Sequence, residues 1–309
     1  MKFIYFGSSK FSKEILAGLW TSKLIPSLIL TKPDKPKGRG LKFASTEVSL
    51  FAQSKHIPCI KPQSLKEYSL DNSLDREQAD FFIVADYGKI IPESILSLPK
   101  IFAICVHPSF LPFYRGSTPI EQAIISGERQ TGVTIFKINE KIDAGDIIIQ
   151  KTISIEDDDN FFSLRYKLAQ EGVQLLIEAI AKVKDNSYTL TPQDVNKATL
   201  TYKLKKTDGR IIWDNDAVKI HNFIRATLDW PTAYTYYNNL MLKVLATDVA
   251  EGMNPDSPGT VVDIDREGIY VATSKNTLKI KKLKPQGKKE MDAFSFVCGH
   301  RIKAGDKFG

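Results

Sequence analysis

The chain of 309 residues is 42% hydrophobic and 26% charged, with 43 Lys plus Arg against 36 Asp plus Glu, a formal balance of +7. This length suggests two domains, and the composition is that of a soluble globular protein, which excludes disorder and small disulfide scaffolds. The longest apolar runs, near 81–85 and 101–106, fall far short of the roughly 18 residues a membrane span requires.

The N-terminal apolar stretch stops at Gly7 without a small-residue cleavage site, so no secretory signal is expected. Cys59, Cys105 and Cys298 are scattered without CxxC spacing, which argues against a disulfide framework or a zinc site and for a reducing cytoplasm. Residues 2–6 read as a buried strand, 9–20 as a helix with Phe11, Ile15, Leu16 and Leu19 on one face, and 25–30 as a second strand, a βαβ unit. A helix at 47–55, strands at 81–85 and 101–106 and a helix at 119–126 continue the alternation. Such strands, apolar on consecutive positions, imply a mostly parallel sheet buried on both faces, an α/β fold. Strands at 132–138 and 147–155, the latter placed at an edge, precede a long helix over 161–183. The acidic run at 157–159 reads as the start of that helix rather than a metal site.

Between 184 and 206 the periodicity fades into a polar stretch that reads as a linker. One helix around 217–225 follows, then short strands at 233–237, 242–247, 259–264, 269–273 and 278–283, a pattern that predicts a small OB-like β-barrel. The domains are therefore expected at 1–186 and 205–309, joined by 187–204.

The basic excess is concentrated: seven lysines and no acid over 275–289, and five basic residues against Asp34 over 32–42. A polyanion is a plausible partner, and a solvated face explains the same charges. The densest chemical cluster begins where the 101–106 strand ends. Strand period places Cys105 and His107 on one face, and Pro108 ends the ladder, leaving both at the carboxyl end where open parallel sheets bind ligands. His107 could equally cap the strand. Asp143, in the loop IDAGD at 142–146, could orient an imidazole and accept a proton through water, or simply bond its own turn. The segment at 38–40 lacks the ending of a Walker motif and reads as a mobile basic loop.

Several segments now fall into an order: FG at 6–7 with Phe11, TKPDKPKGRG at 31–40, YGKIIP at 87–92, HPSFLPFYRG at 107–116, TGVTI at 131–135, IDAGD at 142–146, WP at 230–231 and GKK at 287–289. In this spacing the chain resembles the methionyl-tRNA formyltransferase family over essentially its whole length. The resemblance implies a Rossmann-like formyltransferase domain followed by a C-terminal barrel that helps hold tRNA. It implies transfer of formyl from 10-formyltetrahydrofolate to the α-amino group of methionyl initiator tRNA, by a cytoplasmic monomer that needs no metal. Folate contacts are implied for Ser109, Phe110, Leu111 and Pro112, with Tyr87 and Gly88. For tRNA, the resemblance implies Lys35, Lys37, Arg39 and Lys42 in a loop entering the acceptor stem. Lys281, Lys282, Lys284, Lys288 and Lys289 would track the backbone.

The family's catalytic Asn, His and Asp fall on Cys105, His107 and Asp143, so the first position departs. The tetrahedral centre formed by amine attack needs donors around its oxygen, and a thiol donates only weakly. Three outcomes stay open: a slow enzyme, replacement of the donor by a backbone amide or water, or a Cys105 that takes formyl as a thioester. The rivals are a sugar N-formyltransferase or 10-formyltetrahydrofolate hydrolase, and a catalytically weak tRNA-binding homologue.

Overall fold

The computed structural model describes residues 1–37, 42–65, 78–252 and 256–309. They form two compact units, the first of residues 1–119, 130–154 and 165–201 and the second of 120–129, 155–164 and 202–309. In chain order the strands are β1 Phe3–Gly7, β2 Leu28–Leu30, β3 Lys35–Lys37, β4 Lys42–Ala44, β5 Cys59–Ile60, β6 Phe81–Ala85, β7 Phe102–His107, β8 Arg115–Gly116, β9 Gln130–Lys137, β10 Ile147–Ser154, β11 Leu200–Thr201, β12 Tyr234–Tyr237, β13 Leu240–Ala250, β14 Val261–Asp265, β15 Gly268–Ala272, β16 Thr277–Pro285 and β17 Met291–Asp292. The helices are α1 Lys10–Thr21, α2 Glu47–Ser54, α3 Glu93–Leu96, α4 Pro119–Ile125, α5 Phe161–Lys184, α6 Ala217–Ala226 and α7 Ala293–His300.

The first unit is built on a seven-stranded sheet of order β10-β9-β7-β6-β1-β2-β5. The pairs among β7, β6, β1, β2 and β5 are parallel, and β9 and β10 add antiparallel to one side, with β10 at the edge as expected. Every residue of β1, β6 and β7 is buried, which is why these strands read as continuous apolar runs. The chain leaves β1 toward β2 and β5, then returns to β6 and β7 on the other side. This reversal puts a topological switch between β1 and β6, and ligands in open α/β sheets enter at the carboxyl ends beside such a switch. Helix α1 starts at Ser9, whose hydroxyl accepts from the Ser12 amide at 3.1 Å, and buries Phe11, Ile15, Leu16 and Leu19.

Two expectations change here. The polar stretch beyond α5 is not a free tether: Thr191 and Ile147 exchange backbone bonds, the Gln193 side chain reaches Arg115, and β11 pairs in parallel with β8. Lys35, Lys37 and Lys42, expected in a loop, lie on β3 and β4, which pair antiparallel; the basic loop read at 38–40, with Arg39, lies outside the described residues.

In the second unit an antiparallel sheet of order β12-β13-β16-β15-β14, with β17 on β16, packs against α6 and α7. Asp216 opens α6 by accepting from the Lys219 amide, which turns Ala217, Ile220 and Ile224 onto a core containing Trp213, Leu242, Val271, Phe296 and Phe308. Helix α7 has no counterpart among the expected elements; Asp292 starts it by accepting from the Ser295 amide at 2.7 Å. The acidic run immediately precedes α5, but Asn160 is the residue whose carboxamide oxygen accepts the first-turn amides of Phe162 and Ser163, while Asp159 accepts from the Glu156 amide and the Ser163 hydroxyl and Asp157 pairs with Arg129.

Candidate active site

Strand β7 carries Cys105 between Val84 of β6 and Phe136 of β9, and two residues on, His107 stands opposite Thr134. Residues 108–114 then fold back over the strand end. His107 Nε2 lies 3.1 Å from the Tyr114 carbonyl, which can only accept, so Nε2 carries a hydrogen. The other ring nitrogen faces Asp143: Nδ1 and Oδ2 are 3.8 Å apart, with the two side chains 7% and 19% exposed. At that distance the carboxylate lies beside the ring without closing a hydrogen bond to it.

Asp143 does not bond its own turn. Its Oδ2 accepts from the Gly116 amide at 2.8 Å, which carries the carboxylate across to the strand-end loop. The backbone there is left-handed, φ +47° at Asp143. Nearby Gly145 passes so close to β9 that a Cβ would lie 1.7 Å from the Lys137 carbonyl oxygen. Gly145→Ala must therefore push the loop off the strand. The expected result is a thermal midpoint lowered by several degrees, consistent with overpacking of about 1–3 kcal/mol, together with lost activity.

The four residues expected to contact folate are unequally placed. The Ser109 hydroxyl is turned inward to the Phe113 carbonyl at 2.6 Å, and Leu111 is fully buried. Thr134 donates to the Ser109 carbonyl and accepts from the Leu111 amide, and Gln150 donates to the Leu111 carbonyl. Ser109 and Leu111 thus brace the loop, and Phe110 and Pro112 are its partly exposed members. Thr134 and Gln150 escape the sequence reading, although Thr134 lies within the TGVTI segment. At the end of β6, Tyr87 packs edge-on against Phe6 at 5.6 Å, and its buried hydroxyl meets no hydrogen-bond partner among the described residues. Burial pushes that hydroxyl's pKa up to about 12. Gly88 has φ +68° and room for a Cβ only at the expense of the Lys32 ammonium.

Cys105 is buried, and burial raises its thiol well above the usual range, with the Asp143 and Asp86 carboxylates adding to the effect. The thiol is protonated at neutral pH. It offers a weak S–H donor and not a thiolate nucleophile.

In the second unit the basic run is partly neutralised by the protein itself. Lys279 is buried among Asp265, Glu267 and the Tyr270 ring. Lys281 pairs with Asp248 at 3.1 Å and Lys282 with Glu290 at 2.8 Å. Lys284 is different: it stands directly opposite Lys243 in the β13–β16 ladder, and like charges so placed repel. Partial burial, then Lys284 and Lys206, hold the Lys243 ammonium below its ordinary pKa. Lys243 and Lys206 escape the sequence reading because register is invisible in one dimension. Lys288 and Lys289 are exposed beyond β16, and Lys35 is exposed on β3.

The comparisons with known proteins agree along the chain. The family model Formyl transferase matches residues 1–180, and Formyl transferase, C-terminal domain, matches 203–301. A methionyl-tRNA formyltransferase of Thermodesulfovibrio yellowstonii is 39% identical over 302 residues, covering 98% of this chain and 97% of the relative. That of Alkaliphilus oremlandii is 35% identical over 309 residues, covering 100% of both. In fold, the chain is similar to WlaRD, a sugar 3N-formyl transferase solved in the presence of dTDP and 5-N-formyl-THF, with a TM-score of 0.66 at 18% identity over 94% of this chain and 99% of that one. Identity at this level along the full length of the relatives, with both family models in order, shows that the chain belongs to the methionyl-tRNA formyltransferase family.

Proposed function

We propose that this protein transfers the formyl group of 10-formyltetrahydrofolate to the α-amino group of methionyl initiator tRNA, as a cytoplasmic monomer. The observation that carries the site is the approach of His107, at the carboxyl end of β7, and Asp143, in the loop between β9 and β10, to 3.8 Å. Residues 1–186 would hold the folate and the reacting groups, 187–204 would connect, and 205–309 would hold tRNA. The methionyl amine, with a free-group pKa of roughly 7.7 to 8.0, attacks neutral. His107 keeps one N–H on the Tyr114 carbonyl and offers the other, on Nδ1, to the oxygen that becomes negative. Asp143, fixed by the Gly116 amide, supports that hydrogen electrostatically and draws the amine proton away through water. The tetrahedral centre then collapses, and the folate nitrogen leaves with a proton.

Partly exposed Phe110 and Pro112, with Tyr87 and Gly88, would line the place of the folate, and the Tyr87 hydroxyl, without a partner among the described residues, suits a polar ring edge. For tRNA, Lys35, Lys37, Arg39 and Lys42 would meet the acceptor stem, and Lys281, Lys282, Lys284, Lys288 and Lys289 the backbone. Lys243 and Lys206 join the second set, because a phosphate between Lys243 and Lys284 would relieve their repulsion. Lys284→Ala is expected to weaken tRNA binding and to reduce the slope of log affinity on log salt by about one. Lys282→Ala, removing a charge already matched by Glu290, is expected to change the slope less. Filter binding across salt concentrations measures both.

The decisive assay supplies labelled 10-formyltetrahydrofolate with charged initiator tRNA or an amino-sugar nucleotide. Label on methionyl-tRNA alone is expected. Label on the sugar and none on tRNA would replace this reading with a sugar formyltransferase, and tight tRNA binding without any transfer would replace it with a tRNA-binding homologue.

A further inference from the structure

We infer that Gln193 is the positioning residue that aims Asp143 at His107; the inference rests on the catalytic pair proposed above. Gln193 lies in the polar stretch beyond α5, yet only 9% of it is exposed. Its amide is fully used. Oε1 accepts from Arg115 Nε at 3.0 Å and Nη2 at 2.7 Å, while Nε2 donates to the carbonyls of Asp143 at 3.0 Å and Gly145 at 2.7 Å. A primary amide has two hydrogens to give and two lone pairs to receive on, so these four bonds exhaust it. They also fix its orientation, because a flip would set NH2 against the guanidinium and oxygen against two carbonyls.

Asp143 needs such support. Its φ of +47° lies in a region that L residues enter only where their surroundings demand it. Gly116 holds its carboxylate and Gln193 holds its carbonyl, so side chain and main chain are anchored separately. The anchors meet, since Arg115, which grips Gln193, immediately precedes Gly116. The contacts close a ring through Arg115, Gly116, Asp143 and Gln193. Because the imidazole and carboxylate are 3.8 Å apart, a slip of the loop by about 1 Å would separate them beyond use, and misplacements of that size cost about 10² in rate.

Two variants divide the clamp. Gln193→Leu removes all four bonds. Gln193→Glu keeps an acceptor for Arg115 but loses both donors to the loop. Steady-state kinetics with 10-formyltetrahydrofolate and methionyl initiator tRNA are expected to show kcat lowered about 10- to 100-fold in both, with each KM within about threefold. In an Asp143→Asn background, Gln193→Glu is expected to cost less than about threefold, because the carboxylate it positions is already gone. An equal loss in both backgrounds, a change confined to KM, or a Gln193→Glu enzyme with normal kcat overturns the inference. If Gln193→Leu does not fold, Gln193→Glu, which retains the Arg115 contact, carries the test. If neither variant gives a cooperative thermal transition, Gln193 is structural and the positioning role is overturned. An Asp143→Asn enzyme with normal kcat overturns instead the catalytic pair, and that single variant reports it alone.

Discussion

Asp143→Asn is expected to lower the rate of formyl transfer by about 10³ to 10⁴, or roughly 4 to 5.5 kcal/mol in the barrier, with little change in fold or tRNA binding. The size follows from hydrogen placement. The Tyr114 carbonyl requires a hydrogen on His107 Nε2 in wild type and variant alike. One oxygen, Asp143 Oδ2, both accepts from the Gly116 amide and faces Nδ1, so the amide oxygen of the substituted side chain would keep both places while the negative charge is lost. With that charge gone and the Nε2 hydrogen held by the Tyr114 carbonyl, a second hydrogen on Nδ1 is no longer supported, and the ring has none left to offer a developing oxyanion. In the Ser-His-Asp triad the change of an orienting carboxylate to an amide costs about 10⁴, which sets the scale for losing the charge beside the imidazole. Single-turnover transfer from 10-formyltetrahydrofolate, with saturating charged tRNA, isolates the chemical step. A loss below about tenfold would remove Asp143 from the reaction.

What the sequence discloses about this site depends on whether a feature is local. Residues 81–85 are apolar at every position because β6 is buried on both faces, and the expected and observed bounds coincide. The common face of Cys105 and His107 likewise follows from the two-residue period of a strand. That the Asp143 carboxylate crosses to Gly116 is not legible in the same way, since a loop carboxylate has its own turn as an equal alternative. The stretch beyond α5 reads as a linker because its order comes from side chains such as Gln193, which have no period. Lysines 275–289 look uniform in sequence. Strand register separates them into Lys279 in an ion cluster, Lys281 and Lys282 matched by acids, and Lys284 set against Lys243. Two-residue strands such as β8 and β11 give no pattern at all, although their pairing is part of what holds Arg115 and Gly116 in place.

Cys105→Asn is expected to raise kcat by about 10² to 10³ without a comparable change in either KM. In formyl transfer the oxygen of the attacked carbon gains charge, and one well-placed donor to such an oxygen is worth about 10² to 10³ in kcat. The thiol is a poor donor for that oxygen. Burial and the Asp143 and Asp86 carboxylates keep it protonated, so it cannot act as a thiolate, and S–H donates weakly. An Asn amide at the same place on β7 brings two hydrogens to the face that His107 shares. The gain has a cost in stability. Cys105 is 8% exposed, and an amide whose partner arrives only with the substrate is under-satisfied in the resting enzyme, at about 1–3 kcal/mol, seen as a thermal midpoint lower by several degrees. Cys105→Ser separates donor strength from size, since a hydroxyl donates better than a thiol but reaches less far than an amide; its rate is expected between those of wild type and Cys105→Asn. If both folded variants are instead slower than wild type, the thiol itself takes part in the reaction, and the donor account of this position is wrong.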